Sequence, residues 1–129
     1  MCIRDSICCG YPDKLDAVNY PKAPLNSYHE IAEILDNSIV DSISIEDAHR
    51  YNDLNLLNKY KNKKIIFGVF KIASSKIDSE KDIYDRVKET LNHIDKERLI
   101  LAPDCGLVHL PRELSKKKLK IMSEVANKF

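Results

Sequence analysis

The feature that most limits what this chain can fold into is an alternation of short β-branched runs with amphipathic stretches. It recurs about every 30 residues, the length of one β/α unit. A short apolar run, Ile7-Cys8-Cys9, comes first. A loop punctuated by Gly10, Pro12, Pro21 and Pro24 follows. Asn26 or Ser27 can cap a helix, with Glu30 three positions after Ser27 as in a capping box. Tyr28, Ile31, Ala32, Ile34 and Leu35 give that helix an apolar face. Residues 39–45 read as a second strand, and a short helix follows around Leu54, Leu56, Leu57 and Tyr60. Residues 65–70 are apolar on both faces, as in a parallel strand covered on both sides. Ser79 caps the next helix, whose face is Ile83, Val87, Leu91 and Ile94. Residues 99–102 form a fourth strand. Pro111 suits the first turn of a last helix, with Leu114, Leu119, Met122, Val125 and Phe129 as its buried side. Four such units argue an α/β fold with a parallel sheet. They could make a small open sheet or half of an eight-unit barrel, which takes about 250 residues. Periodicity does not choose between the two.

Composition removes several function classes. The chain has 129 residues, 43% hydrophobic and 32% charged, which suits one globular domain or a piece of one. A formal net charge of +1 implies no general attraction to nucleic acid or to an anionic membrane. No apolar run approaches the ~20 residues of a membrane-spanning helix. The start lacks the apolar core and cleavage site of a signal peptide. A cytoplasmic location is the expectation. Four cysteines in such a chain argue against a disulfide framework and leave core packing, metal ligation or thiol chemistry.

Three polar clusters fall at strand ends: Cys8 and Cys9 end the first strand, Glu46-Asp47-Ala48-His49-Arg50 follow the second, and Asp104-Cys105-Gly106 follow the fourth. In parallel α/β folds the carboxyl ends of strands converge on one rim. Two thiols and a carboxylate can then meet, and both donor types suit zinc. Simpler readings exist for each residue. Cys9, pointing opposite to Cys8, suits the core. Glu46 and Asp47 can be N-cap acids. His49 can bond within its loop. His29 and His93 fit solvated helix positions, and His109 has no evident role. Lys116-Lys117-Lys118 fits a solvated helix face. A redox protein using the vicinal Cys8-Cys9 lacks a Cys-x-x-Cys motif, and a cysteine hydrolase lacks a base placed beside a thiol.

Ile7-Cys8-Cys9-Gly10-Tyr11-Pro12, Ser44-Ile45-Glu46-Asp47 and Ala102-Pro103-Asp104-Cys105-Gly106-Leu107 together resemble the C-terminal catalytic domain of cobalamin-independent methionine synthases. Ile66-Phe67-Gly68-Val69-Phe70 falls between them in the family's order. The resemblance implies an α/β fold that is the C-terminal half, about four β/α units, of a (β/α)8 TIM barrel. It also implies zinc as cofactor, with Cys8, Glu46 and Cys105 as metal ligands. Asp47 and Asp104 adjoin ligands and are expected to orient them. No catalytic residue is carried over. The implied reaction is methyl transfer to homocysteine or a similar thiol, giving methionine. The implied donor is methyltetrahydrofolate or a methyl-corrinoid. A non-catalytic zinc- or thiol-binding module, or alkylation of another thiol, are the alternatives.

Two departures from the family bear on this. The family has a His two positions before the first ligand Cys, on the same strand face, and Ser6 stands there. Residues 1–6 are therefore expected to be a leader foreign to the fold, with residues 7–129 the partial barrel. The family also has a His after the third strand where Ala73 stands here. The 129 residues alone are expected to be poorly stable and inactive.

Overall fold

The structure, a computed structural model, describes residues 3–129; Met1 and Cys2, part of the expected leader, lie outside them. The apolar runs become four strands: β1 (Arg4–Ile7), β2 (Ser42–Ile45), β3 (Lys64–Phe70) and β4 (Leu99–Pro103). They pair in the order β1-β2-β3-β4, every pair parallel. Sequential parallel order requires a crossover after each strand. These contain α1 (Ser27–Asp36), a 3₁₀ helix (Leu54–Lys59), and α2 (Glu80–Thr90). A second 3₁₀ turn (Lys96–Arg98) leads into β4, and α3 (Arg112–Ala126) follows it.

Alternation along the strands decides what the helices cover. Ile43 and Ile45 of β2 and Ile65, Phe67 and Val69 of β3 share one core with Tyr28 and Ala32 of α1, Ile83 and Val87 of α2, and Val125 of α3. The alternate positions, including Ser44, Ile66, Gly68, Ile100 and Ala102, occupy the other face, where Ile100 is 39% exposed. A uniformly parallel, sequentially ordered sheet with helices against one face is what a segment of a β/α barrel looks like.

The element boundaries differ from expectation in ways that packing explains. The first strand is residues 4–7 rather than 7–9, so Cys8 and Cys9 lie just beyond its end. Its polar residues are no obstacle, because an edge strand pairs through its backbone and Arg4, Asp5 and Ser6 are exposed. The second strand starts at Ser42, not 39. The chain is still turning out of α1 there, with Ser38 N–H donating to Leu35 O, and Ile39 is 86% exposed. On α1, Tyr28, Ala32 and Leu35 make the buried stripe, while Ile34 falls off it and is exposed. Asn26 is the cap residue but makes no side-chain cap bond; its amide instead donates to Glu30 at 2.5 Å, so the Ser27–Glu30 capping box does not form. Ser79 caps α2 as expected, accepting from Asp82 N–H.

Lys118 corrects the reading of residues 116–118 as a solvated face. Its side chain is fully buried. Nζ donates to Lys71 O at 2.9 Å and to the Asp78 carboxylate at 2.7 Å. Two good acceptors buried beside α3 outweigh the cost of drawing the ammonium from water. The bond ties α3 to the loop that follows β3.

Candidate functional site

The carboxyl ends of β1, β2 and β4 bring the three polar clusters onto one rim. Glu46, first after β2, is completely buried. One carboxylate oxygen accepts the Cys9 N–H at 2.7 Å and the other accepts Lys22 Nζ at 3.1 Å. Lys22 also donates to His49 O at 3.3 Å, which fixes its ammonium between the two. Neither Glu46 nor Asp47 caps a helix: the next helix begins at Leu54 and its cap is Asp53. Asp47 instead takes a two-pronged bond from Arg86, at 2.8 and 2.9 Å, and the Asn52 N–H at 2.9 Å. Asn52 Nδ2 reaches back to Glu46 O at 2.7 Å. The segment 46–52 is therefore rigid at both ends.

Asp104 is the second buried carboxylate. Asp47 and Ala48 N–H donate to Oδ1 at 3.0 Å each. His49 N–H and His49 Nδ1 lie 2.7 Å from Oδ2. The oxygen–nitrogen set of Glu46, His49 and Asp104 falls within 4.8 Å and has the outline of a cation site. Its hydrogen bonds argue against that use. Two carboxylate oxygens offer about four lone-pair sites, and all four at Asp104 are taken. An ionised Asp104 can only accept, so His49 Nδ1 is its donor and Nε2 is the imidazole's lone-pair nitrogen. That atom is buried without a partner, and the ring stands edge-on to Tyr11 at 5.7 Å.

Cys8 and Cys105 are exposed free thiols beyond the ends of β1 and β4. Gly10 N–H points at Cys8 Sγ from 3.4 Å. That turn needs a glycine: Gly10 has φ +113°, and a Cβ would stand 2.6 Å from Pro21 O. Tyr11 sits among all three expected metal ligands. Its hydroxyl donates to Asp104 O at 3.0 Å. Burial, then the fields of Glu46, Cys105 and Cys8, push its phenol well above the usual tyrosine range. Tyr11 thus stays protonated and remains a donor at the rim. Burial likewise raises the Cys9 thiol, a packed core residue as its position beside Cys8 suggested. 

The donors therefore suit a zinc ion in kind: two solvent-reachable thiols and one buried carboxylate whose present counter-charge is a lysine. The Lys22 side chain is 22% exposed. Ser6, on β1 opposite Ser44, is exposed. Ala73 is buried in the loop after β3 and borders a cleft of about 540 Å³ with Pro12, Tyr20, His49 and Lys71. His29 is on α1, while His93 lies in a turn after α2 rather than on a helix. Sequence reasoning passed over Tyr11, Lys22, Gly68 and Arg86. The spacing of Gly68 within an otherwise bulky strand was the one available signal.

Residues 25–128 match the family described as the catalytic domain of cobalamin-independent synthase. The chain is 30% identical over 95 residues to the methionine synthase of Thermococcus kodakarensis, a match covering 73% of this chain and 28% of that protein. The Pyrococcus horikoshii methionine synthase matches to the same extent. Among solved structures, a B12-independent methionine synthase from Shewanella sp. W3-18-1 in complex with selenomethionine superposes with a TM-score of 0.74. The identity is 26%, over 78% of this chain and 30% of that one. The chain spans about three-tenths of the length of these relatives.

Proposed function

Because the chain belongs to the family of cobalamin-independent synthase catalytic domains, we propose that it is the metal-bearing part of a zinc-dependent enzyme that methylates a thiol. Homocysteine is the proposed acceptor and methionine the product. The chain is then the C-terminal half of a (β/α)8 barrel, residues 7–129 carrying the zinc side. The rest of the barrel supplies the methyl donor's site, whether for methyltetrahydrofolate or a methyl-corrinoid. What supports the reading is that Cys8, Glu46 and Cys105 follow the carboxyl ends of the parallel strands β1, β2 and β4, with both thiols exposed.

In this reading Cys8, Glu46 and Cys105 hold the ion. Zinc bound there supplies Lewis acidity that keeps a substrate thiol as thiolate near neutral pH. The chain's own groups do the rest. Cys9 N–H fixes one oxygen of Glu46 and leaves the other to Lys22, the group that must move aside. Tyr11 stays neutral and adds no charge beside the two thiols. Asp47 and Arg86 hold the segment that carries Glu46.

The test is metal content. Expressed within the complete barrel, the protein should retain zinc through chelation, and Cys105→Ser should lose most of it. Zinc that is absent, or indifferent to Cys105→Ser, would sink the reading. Zinc retention with no turnover, on homocysteine and both donor types, would favour a non-catalytic zinc module.

A further inference from the structure

Asp104 directly follows β4, the strand that pairs with β3, yet its carboxylate serves the segment after β2, one strand further away. Three successive amides, Asp47, Ala48 and His49, all donate to it, together with the His49 ring. Consecutive amides turned toward one point make an anion nest. Here the protein fills it with its own fully buried carboxylate. To arrive there the side chain must cross β3, and it crosses at Gly68. A Cβ on Gly68 would lie 2.7 Å from Asp104 Cα and 3.0 Å from Cγ. The β3–β4 register slips between Gly68 and Phe70, which turns the end of β4 over the sheet. Asp104 N–H then donates to Phe70 O at 3.3 Å.

The two residues joined in this way are the immediate neighbours of two expected ligands. Asp104 precedes Cys105, and Asp47 follows Glu46. Glu46 is itself tied to the Cys9 amide, and Tyr11 closes the ring by donating to Asp104 O. Three strand ends are thus stapled together by protein groups alone.

We propose that Asp104 is a positioning residue that sets the separation of Cys105 from Glu46, so that the metal ligands are arranged before any metal arrives. This rests on the zinc reading above. The experiment uses the chain expressed within the complete barrel and Co²⁺ alone as probe, since thiolate ligation gives cobalt a charge-transfer band. Asn at position 104 keeps an acceptor for Asp47 and Ala48 but turns an amide against the two His49 donors. Asp104→Asn is expected to weaken Co²⁺ binding by about 10–100-fold, the usual range for a group that orients ligands, and to alter the band. Without metal, amide exchange at residues 47–49 should accelerate on the order of tenfold while β3 and α2 keep their protection.

A parent chain that binds Co²⁺ and an Asp104→Asn chain that binds it equally, with the same band, overturns the positioning role and leaves the zinc reading intact. A parent chain with no thiolate band, or one that survives Cys105→Ser, overturns the zinc reading and the positioning role with it. Should Asp104→Asn prove too unstable to purify, His49→Leu removes only the ring bond. Unchanged affinity and band in that variant would then overturn the proposal, and several-fold weaker binding with unchanged melting would support it.

Discussion

Replacing Lys118 by Met removes a buried ammonium and little else. The stem of Met follows that of Lys, so packing beside Phe70 is retained. Two bonds are lost, to Lys71 O and to Asp78. Bonds involving a charged group contribute about 1.5–3 kcal/mol each, but removing Lys118 also removes the cost of burying its charge. Asp78 is left without its cation, yet it is 19% exposed and still accepts the Lys71 N–H at 3.3 Å. Its penalty is therefore a fraction of the full orphan cost. The balance is a loss of about 2–3 kcal/mol, a large part of the ~5–15 kcal/mol that holds a typical domain together. Urea unfolding followed by circular dichroism, at concentrations low enough to keep the chain monomeric, measures it. Adding Asp78→Asn should then cost less than it does in the parent, with a coupling of about 1 kcal/mol or more. A Lys118→Met chain within about 0.5 kcal/mol of the parent, the range of ordinary surface changes, would refute the account of this lysine as the anchor of the loop after β3.

Gly68→Ala should cost about 2–3 kcal/mol, because the new methyl meets both the Asp104 backbone and the Asp104 carboxylate, which its four hydrogen bonds keep from swinging aside; thermal melting checks it, and an unchanged midpoint would contradict it. Ser6→His adds an imidazole two positions before Cys8 and should tighten zinc by on the order of 10–100-fold or more, read by competition with a chromophoric chelator. Tyr60 is almost wholly buried, and burial with the nearby Asp36 carboxylate raises its phenol from 10.0 to about 12. A raised acid pKa means the unfolded chain ionises first, so this contribution is whole below pH 10 and is lost as pH rises toward 12. Absorbance of phenolate against pH should show Tyr60, with Tyr11 and Tyr28, ionising after the exposed tyrosines; a single transition in the folded chain would oppose this. With β1 and β4 the edge strands of the sheet among the described residues, the 129 residues alone should associate with rising concentration and turn over no homocysteine; a monodisperse, active monomer would rule that out.

The strands and helices were legible wherever periodicity and burial agree. The runs at 65–70 and 99–102 lie within a residue of β3 and β4, and Ser79 caps α2. Legibility failed where an apolar residue has no neighbour to meet, as at Ile34 and Ile39. It failed also at Lys118, where a charge in a run of charges is buried by an acceptor 40 residues away in sequence. The rim was foreseeable as a place, since strand ends converge by topology. Its wiring was not. Nothing local to Asp104 announces that three amides some 55 residues earlier point at it. The glycine that lets it cross lies on a third strand. Tyr11 looked like part of a loop, and only the fold sets it against both thiols.

That wiring bears on what the rim must do before it meets a metal. Two buried carboxylates on one rim, after β2 and β4, would repel each other if nothing compensated. Here the compensation is unequal. Asp104 is neutralised by amides and an imidazole, none of which can leave, so its charge is permanently spent on structure. Glu46 has one fixed donor, the Cys9 amide, and one mobile one, the partly exposed Lys22. Only the second carboxylate can exchange its partner for another cation without breaking the fold. The same division separates the cysteines: Cys9 is packed and kept protonated by burial, while Cys8 and Cys105 face solvent. One carboxylate of the rim is thus fully committed to holding the fold, while the other keeps one charged partner, Lys22, whose side chain reaches solvent.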